Sequence, residues 1–183
     1  MTITDEYEYA MLFANLIQES GGLTTTSEAA KHRPASGTEY MIDYTTTSGT
    51  VQYYGRGYLQ LTWKENYEAA KAWGCNTYDI VNDPDKVATD EDTAWCATAW
   101  FWYTNVNKDR CDKARDGKRE CEMGNTIDAI NGKQECTTTC GAEPKNRFCY
   151  YKKFYEKYSG KTLGSWNADT TCCTGIDGDC KVR

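Results

Sequence analysis

Three glutamates and one glycine-bounded bend offer this chain's chemistry. Glu19 stands in Gln18-Glu19-Ser20-Gly21-Gly22, after a segment in which Tyr7, Ala10, Met11, Ala14 and Ile17 recur at helical spacing. The two glycines stop that helix, so Glu19 sits on its last turn. The negative end of a helix dipole disfavours a charged carboxylate, and a partly apolar surrounding acts the same way. Both favour the protonated carboxyl from which a general acid donates. Glu28 and Glu39 follow in residues 23–52, an irregular stretch rich in Thr, Ser and Gly. A loop that long inside a compact domain is usually functional. One carboxyl that holds a proton and a second that takes one are the requirements of acid–base hydrolysis. His32, the only histidine, reads as a loop residue outside this chemistry.

The second chemical element is Tyr53–Trp63, YYGRGYLQLTW. Gly55 and Gly57 flank Arg56 and let the backbone turn tightly and approach another chain or a ligand. Leu59–Thr62 alternates, so an extended backbone would turn Gln60 and Thr62 to one side and Leu59 and Leu61 to the core. Thr62 followed by Glu65 has capping-box spacing and predicts a helix over Trp63–Trp73, closed by Gly74. Asn66 falls in that helix, and Tyr53 and Tyr54 precede the bend. Downstream, INGKQEC places Asn131 at the end of a short helix, Asn125–Ile130, with Glu135 just beyond. Arg147 sits beside an apolar stripe of Phe148, Tyr151, Tyr155 and Tyr158, on a helix opened by Pro144 and ended by Gly160, and is placed to face Glu135.

The elements that must position these residues are mostly helical. Thr4 is a candidate cap for the first helix, with Asp5 and Glu6 in its first turn. Thr89, with Asp92 three residues on, is a candidate start for a helix in which Trp95, Ala99 and Trp102 share a face; Trp100 and Trp102 are assigned to packing. The 183 residues carry a net charge of −6 with no basic run, which argues against nucleic acid as a partner. All ten cysteines lie from Cys75 onward. With one histidine and no paired CxxC sequence, disulfides are expected rather than a metal site, in an oxidising compartment. Cys111 and Cys121 are expected to pair across a charged loop. The acidic start, MTITDEYEY, reads as neither signal sequence nor membrane span, so a mature or recombinant form of a secreted protein is expected.

The stretch YYGRGYLQLTWKENY resembles the signature of the family 19 chitinases, YYGRGPxQLSxNxNY. It matches at Tyr53, Tyr54, Gly55, Arg56, Gly57, Gln60, Leu61, Asn66 and Tyr67; Thr62 replaces Ser, and Tyr58 stands where Pro is common. QESGG resembles the family's HExxGG or HESGG with Gln18 in place of the histidine, and INGKQEC resembles INGGxEC. The resemblance implies an all-α, lysozyme-like fold of two lobes with a substrate cleft, disulfide-stabilised. It is expected as a single catalytic domain over 1–183, with 160–183 a tail tied by disulfides. It makes Glu19 the proton donor. In shorter relatives the second catalytic glutamate follows nine residues later, the position of Glu28; in plant relatives the gap is longer, nearer Glu39. Glu28 is preferred and Glu39 is the alternative. Thr62 would hold the attacking water with Glu28, and Gln60, Asn66 and Asn131 would hydrogen-bond the sugar. Tyr53 and Tyr54 would offer stacking faces, while Arg56, Glu135 and Arg147 would form a charge network. Cys136 is expected to bridge to Cys172, Cys173 or Cys180.

The function so implied is inverting, endo-acting hydrolysis of β-1,4-linked N-acetylglucosamine polymers by a secreted monomer. No cofactor, metal, nucleic acid or membrane partner is expected. Peptidoglycan or chitosan hydrolysis on the same fold, and chitin binding without cleavage, are the alternatives. The acidic balance suits neutral or cationic polymers better than strongly anionic walls.

Overall fold

The computed structural model describes residues 6–111, 122–164, 171–176 and 180. The Thr4 cap and the Cys111–Cys121 pairing lie outside the described residues. Residues 19–101 form one compact unit; those up to 18 and those from 102 onward form another.

The unit built from both ends of the chain is helical. Helix α1 (Glu6–Glu19) buries Ala10, Met11 and Ala14 as its spacing predicts, and adds Leu12 and Leu16. Tyr7 departs from the expected face: it is exposed and stacks on Tyr155 with ring centroids 4.5 Å apart. The buried carboxylate of Glu8 accepts a hydrogen bond from Trp102 Nε1 at 3.0 Å, so the indole buries its ring without leaving its N–H unpaired. Trp102 opens a π-helical stretch, Trp102–Cys111. Helices α5 (Met123–Glu135) and α6 (Ala142–Ser159) complete the unit. Gly160 ends α6 as predicted, and Phe148, Tyr151 and Tyr155 are buried along it. Tyr158 is not core: it is 56% exposed, because it lies at the solvent edge of an aromatic cluster with Tyr9, Phe13 and Phe154. Asn131 does not end its helix. Its backbone kinks there, and the helix resumes through Gly132 to Glu135. A β-carbon at Gly132 would meet the carboxylate of Asp128, which would have to turn away.

The 19–101 unit combines a short antiparallel hairpin, β1 (Tyr44–Thr46) and β2 (Gly49–Val51), with α2 (Lys64–Trp73), α3 (Lys86–Thr89) and α4 (Glu91–Phe101). Tyr53, Tyr67, Ile80, Val87 and Trp100 lie at the centre of its core. Trp100 and Trp102 are both buried, as assigned from sequence. Two expected caps are corrected. Asp90, not Thr89, caps α4: its Oδ1 accepts from the N–H and hydroxyl of Thr93 at 2.9 and 2.6 Å. Thr62 does not cap α2, because Trp63 occupies the cap position and the Thr62 hydroxyl is committed elsewhere.

Four disulfides lie among the described residues. Cys75–Cys96 joins the end of α2 to α4. Cys136–Cys172, Cys140–Cys173 and Cys149–Cys180 tie the C-terminal tail to the α5–α6 region. Cys172 is therefore the partner of Cys136, a choice that spacing left open.

Two outcomes follow for stability. Replacing Cys75 and Cys96 together by alanine is expected to lower unfolding free energy by about 2–4 kcal/mol, the range for loops of this kind. Denaturant titration checks it, and an unchanged midpoint at unchanged slope contradicts it. Hydrogen bonds from Lys71 and Asn82 push the Asp79 carboxyl down to about 2. A depressed carboxyl adds stability that is present above its unfolded value, roughly 3.9, and is lost as pH falls through the folded one. Asp79→Asn should therefore lose the protein's advantage at neutral pH and match it near pH 2, as thermal scans across that window would show.

Candidate active site

The glycine–arginine–glycine segment is a closed bend rather than a strand. The Arg56 N–H donates to Leu61 O at 3.1 Å and the Leu61 N–H returns to Arg56 O at 2.7 Å, so four residues are pinched off between them. Gly57 sits at φ +75°, and a β-carbon there would also stand 3.2 Å from Val87 Cγ1. A β-carbon on Gly55 would meet Gln60 Oε1 at 2.8 Å. Leu59 and Leu61 are buried and Gln60 and Thr62 half-buried, so the predicted alternation of burial holds. The extended backbone does not: Gln60 lies at φ +52° and Trp63 at φ +76°, left-handed conformations that non-glycine residues keep only where their surroundings impose them.

Against this bend runs the chain that leaves α1. Ser20 O accepts the N–H groups of Thr24 and Thr25 and Ser20 Oγ that of Leu23, a tight turn just after Glu19. Residues 26–28 then lie antiparallel to 55–57. Gly57 N–H donates to Thr26 O at 2.8 Å, Ser27 bridges Arg56, and Glu28 N–H donates to Gly55 O at 2.8 Å. The Glu28 side chain turns back onto the same strip. Its Oε2 accepts from Gly55 N–H at 3.2 Å and its Oε1 from the Tyr40 hydroxyl at 2.8 Å. Glu28 is half-buried, whereas Glu39 is exposed.

Arg56 is 3% exposed. Its guanidinium reaches Asp85 at 2.9 and 2.7 Å, Gln52 O at 2.9 Å and the Tyr67 hydroxyl at 3.2 Å. Burial pushes the Tyr67 hydroxyl far above the usual phenol range, with the Arg56 charge opposing, so it stays protonated and donates to Tyr54 O.

The expected stacking role of the two tyrosines is corrected. Tyr53 has no exposed surface: its ring packs on Tyr44 and Tyr67 and its hydroxyl donates to Val81 O at 2.7 Å. Tyr54 is already covered. The guanidinium carbons of Arg33 and Arg56 lie 3.5 and 3.6 Å from its ring centroid, too close for two cations to share one face. The tyrosine pair builds the bend and its arginine sandwich rather than a platform for a sugar.

The polar side chains around the bend are partly engaged. Thr62 Oγ1 donates to Gln60 O at 2.7 Å, Gln60 Nε2 to Gly57 O at 2.9 Å and Asn66 Nδ2 to Thr62 O at 2.7 Å. A hydroxyl has one donor and two acceptor sites, so Thr62 keeps the capacity to accept from a water.

In the other unit, Asn131, Glu135 and Arg147 come together. Arg147 donates to Glu135 through Nε at 2.9 Å and Nη2 at 2.6 Å, a two-pronged pair with both side chains buried. Asn131 Nδ2 donates to the same Glu135 Oε1 at 2.9 Å, and Arg147 Nη1 to Asn15 Oδ1 at 3.0 Å. Asn15 passes the network on to Thr126 Oγ1 at 2.9 Å. Each buried arginine thus has its carboxylate within its own unit: Asp85 for Arg56, Glu135 for Arg147.

The family model for chitinase class I, glycoside hydrolase family 19, matches residues 19–167. The chain belongs to glycoside hydrolase family 19. It is 32% identical over 170 residues to endochitinase CHI of Arabidopsis thaliana, covering 91% of this chain and 55% of that one. It is 40% identical over 104 residues to acidic endochitinase SP2 of Beta vulgaris, covering 56% of this chain and 32% of that protein. An inactive chitinase-like protein of Hevea brasiliensis is also a relative, 32% identical over 132 residues, covering 63% of this chain and 41% of that protein. Among solved structures, chitinase C of Streptomyces griseus superposes with a TM-score of 0.64 at 27% identity, over 87% of this chain and 62% of that one. The chain spans about half or less of the length of these curated relatives.

Within this family 19 chain, sequence reasoning missed Asp85, Tyr40, Arg33 and Asn15. Asp85 follows Asp83 across a proline, and no pattern distinguishes the carboxylate that meets Arg56. Tyr40 and Arg33 sit in the irregular loop, where no periodicity assigns a face. Asn15 was legible only as a polar interruption on the buried side of α1.

The Arg147–Glu135 pair carries its own test. Arg147→Met leaves a buried carboxylate without its cation and is expected to cost about 3–5 kcal/mol of stability. Adding Glu135→Leu should recover a substantial part of it. A double variant as unstable as the sum of the singles in denaturant titration would contradict that coupling.

Proposed function

We propose that this chain hydrolyses β-1,4-linked N-acetylglucosamine polymers by inversion at internal bonds, with Glu19 as general acid and Glu28 as general base. The observation that carries the reading is the seat of Glu28: its carboxylate rests on the Gly55 N–H of the family signature, while the alternative, Glu39, is exposed at a left-handed position. In inverting glycosidases the two carboxyls stand about 6.5–9.5 Å apart, with a water between them. Glu19 closes α1 and Glu28 lies on the loop strip after it, separate elements that suit a wide gap.

Glu19 gives its proton to the glycosidic oxygen as the bond to the leaving sugar breaks. The attacking water gives one proton to Glu28 and directs its other hydrogen to the hydroxyl oxygen of Thr62. One of its lone pairs is thereby aimed at the anomeric carbon. Each Glu28 oxygen carries two lone pairs and spends one on the protein, so an acceptor site remains for the water. Gln60 and Asn66 bind the sugar through the amide groups that their internal hydrogen bonds leave open. Arg56, paired with Asp85, forms the charged surroundings. Tyr53 and Tyr54 have no direct part. No cofactor or metal enters, and the protein is proposed to act as a secreted monomer. Four disulfides, and no helix long and apolar enough to cross a membrane among the described residues, support that location.

The inactive relative from Hevea brasiliensis gives weight to a second reading, chitin binding without cleavage. Release of oligosaccharides from chitin, chitosan and peptidoglycan, measured side by side, separates the cases. Glu19→Gln and Glu28→Gln are each expected to lower the rate on chitin oligomers on the order of 10²-fold or more, the scale of general acid–base catalysis. An undiminished rate removes the substituted residue from the mechanism. Product from chitosan or peptidoglycan alone moves the substrate assignment, and tight chitin binding with no product from any polymer establishes the second reading.

A further inference from the structure

The Glu28 carboxylate is held at both oxygens, and its second holder comes from a residue that no family motif includes. Gly55 N–H fixes Oε2 at 3.2 Å from the bend, and the Tyr40 hydroxyl fixes Oε1 at 2.8 Å from the short helical turn Glu39–Met41. Tyr40 is itself seated. Its ring meets Trp63 edge-on, with centroids 5.6 Å apart, and Met41 N–H donates to Thr38 O at 2.8 Å to close the turn beneath it.

We infer that Tyr40 is a positioning residue for Glu28, orienting the carboxylate toward the water from which it takes a proton. The inference rests on the reading of Glu28 as general base. A carboxylate fixed at one oxygen can still swing about its side-chain bonds; one fixed at both presents its remaining lone pairs in set directions, which lowers the entropic cost of reaching the reactive geometry. Tyr40 can serve as a permanent donor because burial, with the Glu28 hydrogen bond and charge, holds its proton well above the usual phenol range.

Other charges surround the pair. Glu39 adjoins Tyr40 and opposes its ionisation, and Arg33 favours it. Arg33 donates to the main-chain carbonyl of Glu28 at 3.1 and 2.7 Å, not to its carboxylate. From the bend, Arg56 is occupied by Asp85 and stacked on Tyr54. Tyr40 and Gly55 are thus the donors to the Glu28 carboxylate among the described residues.

The test is Tyr40→Phe, which removes one oxygen and leaves the ring against Trp63. Both kcat and KM on a soluble chitin oligomer are measured for this variant, for Glu28→Gln and for the double variant. In Tyr40→Phe kcat should fall roughly tenfold with KM little changed, as for loss of positioning. In the Glu28→Gln background, Tyr40→Phe should produce no further loss. A merely structural tyrosine would lower the unfolding temperature and leave kcat and KM in place. If Glu28→Gln abolishes turnover while Tyr40→Phe keeps the kcat and KM of the unaltered protein, the base assignment stands and the role of Tyr40 falls. If Glu28→Gln turns over at the unaltered rate, or the unaltered protein cleaves nothing, both fall together.

Discussion

The site in residues 19–101 depends on one short reciprocal contact. Glu28 gives its main-chain N–H to Gly55 O, and Gly55 gives its N–H back to the Glu28 carboxylate. That exchange attaches a loop residue to the family's signature bend with main-chain precision. A side chain at Gly55 would strike Gln60, and the bend itself is pinched shut by the paired Arg56 and Leu61. Close backbone approach is therefore what the glycines supply, and it lets a carboxylate on an irregular segment take a fixed direction. A site on a loop is as well defined as the groups that hold the loop.

Both units contain a buried arginine, and in each the same problem is met with a different set of partners. Removing a guanidinium from water is costly unless its donors are matched. Arg56 meets a largely exposed carboxylate, two carbonyls and a tyrosine hydroxyl, and lays its plane on Tyr54. Arg147 meets a buried carboxylate in two-pronged fashion and an asparagine on α1. The planar fork of arginine suits both arrangements in a way lysine would not. The kink at Asn131 belongs to the second cluster. By breaking the helix there, the chain turns the Asn131 amide onto the carboxylate that Arg147 also holds.

Three of the four disulfides among the described residues anchor Cys172, Cys173 and Cys180 to α6 and the turn before it, where Thr139 also pairs with Thr174. Cross-links of that kind stabilise mainly by restricting the unfolded chain.

Local order and family were legible in the sequence because both are written in short-range patterns. The helical recurrence in α1, the stop at Gly21–Gly22 that leaves Glu19 on the last turn, and the end of the Phe148 helix at Gly160 follow from periodicity and stop signals; the helix around Trp100 was legible, but its cap and its buried face were not. The signature bend was recognisable because glycines mark positions that tolerate no side chain. Tertiary structure alone decided the rest. It buried Tyr53 and enclosed Tyr54 between two arginines. It turned the Thr62 hydroxyl from a helix cap to Gln60 O, selected Asp85 for Arg56 and brought Tyr40 to Glu28. Apart from the Thr62 bond and the Arg56 contact with Tyr54, each within two residues, these are contacts between residues distant in sequence or choices among chemically equal side chains. No local pattern encodes such a choice; it is fixed only when the packed backbone brings one candidate within hydrogen-bonding reach and leaves the others in solvent.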